Sequence, residues 1–288
     1  MRIGNLDGRL VILTGAGGMD VERASGGRFG ADPQAVYPRW AEFTSWAAGQ
    51  GGEGAEPYDA ARLGAPAPAP RQSFGIGLNY RDHAAESGLA VPEQPSVFTK
   101  FPSCITGPYG EVVLPAGGHT DWEVELVAVI GAEARHVAEA DGWSHVAGLC
   151  VGQDISERIT QLAGAAPQFS MGKSFPGFGP IGPWLVTPDE LPDPDDLRLR
   201  CSVGGRVLQD GRTGDMIFSV PELVARISAV CPMLPGDLIF TGTPSGVGMG
   251  RKPPEFLRPG TTLVSTIDGL GELRNALVAG PGFSQPGR

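Results

Sequence analysis

Residues 121–131 read DWEVELVAVIG, and apolar side chains fill nearly every position of this stretch except Glu123 and Glu125. A short run of this composition predicts a buried strand. Side chains two positions apart in a strand point to the same side, so the two carboxylates are expected to converge. Two neighbouring anions in an apolar strand are costly unless a cation neutralises them, whereas alternating glutamates on a water-exposed sheet face are ordinary. The stretch alone leaves both alternatives open.

Further β-like runs lie on both sides of this strand, separated by glycine and proline, at residues 73–78, 96–99, 111–114, 146–152, 197–203, 237–241 and 262–267. No regular series of helices alternates with them, and one of the few helices expected covers residues 220–230. The 44 glycines and 27 prolines of the 288-residue chain also favour turns. The sequence therefore predicts a mostly β domain with mixed sheets.

The first 70 residues are interpreted as a small N-terminal α+β domain. An apolar run at residues 10–13 precedes a glycine-rich turn, and Trp40, Phe43 and Trp46 recur at a spacing of three within a predicted helix at 38–48. Segment 62–71 is rich in proline and alanine and predicts an extended connector. We therefore place the boundary there, between a domain at 1–70 and a larger domain at 71–288.

Composition narrows the function class and the location. The formal net charge of −10 makes nucleic acid and anionic membrane surfaces poor partners. The N-terminus has no apolar core of a signal peptide, and no run reaches the roughly 20 apolar residues of a membrane span. The four cysteines lie far apart without a CxxC pair, which predicts reduced thiols. We expect a cytoplasmic protein that is not bound to membranes.

Two glycine-containing motifs resemble nucleotide-binding loops but fail on spacing. Residues 14–18 read TGAGG, yet the third glycine of a dinucleotide fingerprint is replaced by Asp20, so a hairpin turn is favoured. Residues 172–174 read GKS, but a phosphate-binding loop requires glycine where this chain has Pro167. Lys173 therefore needs another explanation.

A third carboxylate and a histidine complete a candidate site. Asp154 ends the apolar run at 146–153, where it could join Glu123 and Glu125 or instead cap a helix starting near residue 155. Three oxygen donors without a cysteine or histidine cluster favour Mg²⁺ or Mn²⁺ over zinc. His83 and Glu86 lie three residues apart, so one helical turn would bring them together as a base and its orienting carboxylate. Taken alone, this pair could also be two exposed surface residues that occur at this spacing by chance.

The ordered motifs resemble the fumarylacetoacetate hydrolase family, especially its acylpyruvase and diketo-acid hydrolase branch, from about Phe74 to Val278. They are GLNYRDH at 77–83, DWEVEL at 121–126, QDIS at 153–156, GKSF at 172–175, GPW at 182–184, DMIF at 215–218 and PGDLIFTGTPSGVG at 235–248. The resemblance implies a mixed β-sandwich roll and a homodimer.

The resemblance also implies roles for individual residues. Glu123, Glu125 and Asp154 would hold one Mg²⁺ or Mn²⁺ per active site. His83 and Glu86 would activate water from a short lid helix, and Lys173 would steady an oxyanion or the substrate carboxylate. The residues implied to contact the substrate are Arg158, Gln161 and Thr243.

The expected reaction is hydrolysis of a carbon–carbon bond in a 2,4-diketo acid, of the acylpyruvate or diketo-deoxy sugar acid type. Water activated by His83 would attack the 4-carbonyl group, and the products would be a 2-oxo acid such as pyruvate and a carboxylic acid. Decarboxylation of oxaloacetate and keto–enol isomerisation of a dicarboxylic dienoate are alternatives, because they use the same chelate. A degenerate family member that only binds or scaffolds is a third alternative.

Overall fold

The computed structural model describes residues 1–284 of the chain. The strands are β1 (Arg2–Leu6), β2 (Arg9–Thr14), β3 (Gly17–Asp20), β4 (Leu63–Gly64), β5 (Ser73–Gly77), β6 (Ser96–Thr99), β7 (Ile105–Thr106), β8 (Tyr109–Leu114), β9 (Thr120–Asp121), β10 (Val124–Ile130), β11 (Val146–Gln153), β12 (Ser156–Glu157), β13 (Gly179–Val186), β14 (Arg198–Val203), β15 (Arg206–Arg212), β16 (Leu238–Phe240), β17 (Thr262–Ile267) and β18 (Gly271–Ala279). The α-helices are α1 (Val21–Ala24), α2 (Trp40–Ala47), α3 (Arg81–Glu86), α4 (Arg158–Gln161), α5 (Phe169–Gly172) and α6 (Val220–Ser228). Short 3₁₀ turns cover Gln34–Arg39, Ala60–Arg62, Pro102–Cys104, Glu139–His145, Pro188–Glu190 and Thr213–Asp215.

Two large sheets contain most of the strands. The 11-stranded sheet runs β3-β2-β1-β13-β11-β10-β16-β5-β6, with β4 beside β1 and β7 beside β13. The 5-stranded sheet runs β15-β14-β17-β18-β8, and β9 pairs with β12 separately. Neighbours are parallel at β5/β16, β7/β13 and β8/β18 and antiparallel elsewhere. The predicted mostly β fold with mixed sheets is confirmed.

Strand β10 is buried on both faces, which explains its nearly continuous apolar sequence. Leu126 and Ala128 belong to the core that also contains the 5-stranded sheet, whereas Val127 and Val129 belong to a second core on the other face. Because side chains alternate along a strand, Glu125 lies on the Val127 side. The second core therefore ends at the carboxylates.

Residues 1–70 supply much of that second core. Tyr37 and Phe43 lie in it together with Val127 and Val129 of β10. Strand β1 pairs with β13 and β4 pairs with β1, so the N-terminal strands extend the large sheet rather than forming a sheet of their own. In the connector, Ala65 is buried in the same core. The division at residue 70 remains a prediction.

Several element boundaries differ from the sequence-based prediction. The strand expected within residues 121–131 covers only Val124–Ile130. The helix expected at 38–48 is α-helical only over Trp40–Ala47, after a 3₁₀ turn. Among the strands of five or more residues, the expectation missed β1, β13, β15 and β18. Strand β13 reads GPIGPWLV, and its glycines and prolines disfavour a strand in sequence-based reasoning. It is a strand because it pairs with β11 in the sheet. The hairpin turn between β2 and β3 is confirmed.

Two further findings concern the thiols and the helices. All four cysteines are unpaired, as predicted, and three of them are buried. Within residues 1–284, none of the helices combines the length and the apolar character that crossing a membrane requires.

Candidate metal centre and active site

The three predicted carboxylates converge where β10 begins and β11 ends. These strands are antiparallel, with Val124 opposite Gln153, and the Asp154 N–H donates to the Glu123 carbonyl oxygen at 2.9 Å. One carboxylate oxygen from each of Glu123, Glu125 and Asp154 can be chosen so that all three lie within 4.8 Å of one another. The strand pairing thus builds the cluster that the spacing predicted.

The carboxylate cluster is buried, which excludes the alternative of a water-exposed sheet face. Glu123 is 6% exposed, Glu125 1% and Asp154 0%. Burial, together with the negative charges of Asp154 and Glu123, raises the pKa of Glu125 well above its usual value. Burial also opposes ionisation of Glu123, but the charges of Lys173 and Arg158 outweigh it and lower the pKa of Glu123. Glu125 is therefore the carboxylate that the protein's own cations neutralise least.

Lys173, which the family resemblance implies to be a cation of the site, contacts two of the three carboxylates. Its Nζ donates to Glu123 Oε2 and to Asp154 Oδ2, both at 2.6 Å. Burial disfavours the ammonium, but the charges of Asp154 and Glu123 dominate and raise the pKa of Lys173. The side chain therefore stays cationic beside the candidate metal ligands.

Lys100 is a second buried lysine at the site, and sequence reasoning missed it. Its Nζ donates to Asp154 Oδ1 at 2.7 Å, to the Lys173 carbonyl oxygen at 2.5 Å and to the Phe178 carbonyl oxygen at 3.1 Å. Three acceptors use all three ammonium donors. Lys100 therefore orients Asp154 and the backbone around Lys173. The sequence did offer a signal for this residue: the chain has only three lysines, and Lys100 directly follows the strand predicted at 96–99.

Arg158 and Gln161 form a hydrogen-bonded layer beside Glu123. The Arg158 guanidinium donates to Glu123 Oε1 and Asp121 Oδ2, each at 2.7 Å, and to Gln161 Oε1 at 2.8 Å. Asp121 also accepts from the Gly248 N–H at 2.6 Å, so it ties Arg158 to the loop after β16. Arg158 thus has protein partners on the side facing Glu123, and contact of Arg158 and Gln161 with a substrate remains a prediction. Asp121 had not been singled out from the sequence.

The turn after β16 supports Glu125. Gly242 adopts a φ of +97°, and its N–H donates to Glu125 Oε2 at 2.9 Å. A side chain at Gly242 would also collide with Asn79 Cβ, at 2.7 Å. Thr243 Oγ1 donates to the Val124 carbonyl oxygen at 2.9 Å and accepts from Gln209 at 2.8 Å. The observed contacts of Thr243 are structural, and its predicted contact with substrate remains a prediction.

The predicted histidine–glutamate pair lies on helix α3. His83 Nδ1 and Glu86 Oε2 are 3.4 Å apart, and Glu86 also accepts from the Gly246 N–H at 3.1 Å. Burial opposes ionisation of Glu86, but the His83 and Gly246 hydrogen bonds lower its pKa. The helix is anchored by Asn79, whose side chain exchanges hydrogen bonds with the Phe218 backbone. A positive charge on His83 also contributes to lowering the pKa of Glu123, after the larger contributions of Lys173 and Arg158.

The residues present fit a divalent cation. The site contains four buried carboxylates and three buried cations, so one carboxylate has no counter-charge. The carboxylates are Asp121, Glu123, Glu125 and Asp154, and the cations are Lys100, Arg158 and Lys173. Among residues 1–284, the Gly242 N–H is the only hydrogen-bond donor to the Glu125 carboxylate. An all-oxygen donor set suits hard ions such as Mg²⁺ and Mn²⁺. Glu123, Glu125 and Asp154 could therefore hold one metal ion.

Comparison with known proteins supports an enzyme-like site. A model of the fumarylacetoacetate (FAA) hydrolase C-terminal family matches residues 72–278. A crystal structure from Mycobacterium smegmatis, of a protein proposed to be HpcE, is 54% identical with a TM-score of 0.91, covering 97% of this chain and 99% of that chain. A 5-carboxymethyl-2-hydroxymuconate delta-isomerase from the same organism is 30% identical, with a TM-score of 0.75 and coverage of 97% and 99%.

A third similar structure carries a metal. The maleylpyruvate hydrolase from Sphingobium sp. SYK-6, in complex with manganese(II) ion and pyruvate, is 27% identical with a TM-score of 0.80. The match covers 97% of this chain and 100% of that one. The similar proteins thus include both a hydrolase and an isomerase.

Proposed function

Because the chain belongs to the fumarylacetoacetate hydrolase family, we propose that it hydrolyses a carbon–carbon bond in a 2,4-diketo acid. The products are a 2-oxo acid such as pyruvate and a carboxylic acid. The observation that carries the proposal is that the loop after β16 contacts both groups: the Gly242 N–H donates to Glu125, and the Gly246 N–H donates to Glu86, the partner of His83. One loop thus holds a base that can activate water beside a site that can hold a keto acid on a metal ion.

Each side chain has a distinct task in this proposal. Glu86 accepts from the Gly246 N–H and orients His83, which takes a proton from the attacking water. Lys173 has two carboxylate partners among residues 1–284, so its third N–H is available to an oxyanion formed at the 4-carbonyl carbon. Arg158 keeps Glu123 ionised and in place.

We assign the metal-binding role to Glu123, Glu125 and Asp154, with Mg²⁺ or Mn²⁺ as the ion. When bound, that ion supplies Lewis acidity and a template for the carboxylate and 2-oxo oxygens of the substrate. The manganese(II) and pyruvate in the maleylpyruvate hydrolase structure support this choice of ion and product class.

Isomerisation of a dienoate is a second candidate, favoured by the similarity to the delta-isomerase. His83 would then move a proton between carbon atoms of the substrate, and water would have no part. Decarboxylation of oxaloacetate is an alternative at the same site. Hydrolysis adds water to the products, decarboxylation releases carbon dioxide, and isomerisation leaves the molecular formula unchanged, so product analysis separates the three reactions.

The test follows the loss of enol absorbance from a panel of acylpyruvates and oxaloacetate, with Mg²⁺ or Mn²⁺ and then with EDTA. We expect metal-dependent cleavage of acylpyruvates to pyruvate and an acid. His83→Asn should lower this rate by about 10²–10⁴-fold, the usual contribution of a general base. His136→Asn is a matched control because His136 is exposed. Turnover of oxaloacetate alone, or equal activity of the two variants, would contradict the proposal.

A further inference from the structure

An aromatic pair covers the lysine of the carboxylate cluster. The ring centroid of Phe98 lies 5.0 Å from Lys173 Nζ, which contacts both Glu123 and Asp154. The Phe98 ring in turn lies 5.9 Å from that of Phe169, centroid to centroid. The two rings therefore form an apolar wall beside the charged centre.

The backbone keeps space for the Phe98 ring. Gly75 of β5 is directly opposite Phe98 of β6 in the antiparallel pairing. A Cβ atom at Gly75 would lie 2.3 Å from two ring carbons of Phe98, so only glycine permits the ring to lie across the strand there. The position of Phe98 is thus built into the sheet.

Helix α5, which carries Phe169, is docked on the same strand. The Thr99 N–H donates to Ser170 Oγ at 3.2 Å, and the Phe101 N–H donates to Ser174 Oγ at 2.9 Å. Phe169 nevertheless remains 38% exposed, so part of its ring is free to contact a ligand. The contacts position the ring without burying it.

The wall carries no charge of its own. Strand β6 reads SVFT and helix α5 reads FSMG, so neither element has an ionisable side chain. Cations beside an apolar wall suit a ligand with an anionic head and an apolar tail. A second carboxylate on the ligand would find no cation on these two elements.

We propose that Phe98 and Phe169 bind the acyl group of the substrate, and that this group is uncharged and apolar. The substrate class is then an acylpyruvate with an alkyl chain or an aromatic ring, rather than a hydroxylated sugar chain or a dicarboxylate. The inference rests on the proposed function of the site and specifies its substrate.

The test measures binding rather than turnover, by calorimetry on the Mn²⁺-loaded protein with pyruvate, phenylpyruvate and 2-oxoglutarate. We expect phenylpyruvate to bind at least about tenfold more tightly than pyruvate, because its ring is buried against the wall. 2-Oxoglutarate should bind no more tightly than pyruvate. Phe98→Ala and Phe169→Ala should each reduce the preference for phenylpyruvate over pyruvate to within about threefold.

Val97→Ala is the matched control, because Val97 is the neighbour of Phe98 on the same strand, points to the other face and is 48% exposed. It should keep the full preference. Should Phe98→Ala fail to fold, the partly exposed Phe169 gives an independent variant. Equal binding of pyruvate and phenylpyruvate by the unaltered protein would overturn the inference, as would an equal effect of Val97→Ala. A protein that cleaves no diketo acid still gives this result, so the two proposals fail separately.

Discussion

Replacement of Lys100 by methionine should destabilise the metal-free protein strongly. Lys100 is fully buried, and its ammonium group satisfies Asp154 Oδ1 and two backbone carbonyl oxygens. Removing one partner of a buried ion pair costs about 3–5 kcal/mol, because the remaining charge loses its compensation. Asp154 keeps Lys173 at 2.6 Å, which places the expected loss near the lower end of that range. The entropy of unfolding is about 2.1 cal/mol/K per residue, so for a chain of 288 residues a loss of about 3 kcal/mol lowers Tm by roughly 5 °C.

The assay is thermal unfolding in EDTA, with two further variants as references. Lys252→Met removes a lysine that is exposed, and should shift Tm by no more than about 1–2 °C. Lys100→Met combined with Asp154→Asn removes both charges and should be more stable than Lys100→Met alone. A Tm for Lys100→Met within 2 °C of the unaltered protein would refute the reasoning, as would a double variant no more stable than the single one.

The remaining predictions concern the metal ligands and the lid helix. Glutamine is close in size to glutamate but uncharged, so Glu125→Gln should abolish most of the rise in Tm that Mn²⁺ causes. Glu133→Gln, at an exposed position, should leave that rise intact. Equal rises in both variants would contradict the metal assignment. The lowered pKa of Glu86 means that its ionised form adds stability above its usual pKa of 4.5, and this contribution is lost as the pH falls through the lowered value. In denaturant unfolding at pH 7, Glu86→Gln should therefore be less stable than the unaltered protein, by under about 1 kcal/mol because Glu86 is only partly buried. This difference should shrink towards pH 3. A constant difference across this pH range would argue against the ionised pair.

The carboxylates of the candidate site could be predicted from the sequence, because their positions follow from spacing along single strands. The period of a strand brings Glu123 and Glu125 to one side, and the end of the next apolar run supplies Asp154. Likewise, three residues of helix suffice to bring His83 to Glu86. The order of the motifs then identified the family. In the structure Glu123 lies one residue before β10 and not within it.

Other parts of the fold could not be predicted in this way. Strand β13 reads GPIGPWLV, a composition that disfavours strands, yet it lies between β1 and β11 in the sheet. Its strand conformation comes from those neighbours and not from its own residues. The course of β1 beside β13 is equally a matter of sheet order.

The sequence by itself determined which side chains could bind a metal and activate water, because spacing along a strand or a helical turn places them. Only the tertiary structure decided how the charges are balanced. Lys100 reaches Asp154 across 54 residues, and Arg158 reaches Asp121 across 37. Such pairs depend on which strands become neighbours, and no local pattern encodes that. The same long-range packing places Phe98 over Lys173 and so shapes the proposed acyl site.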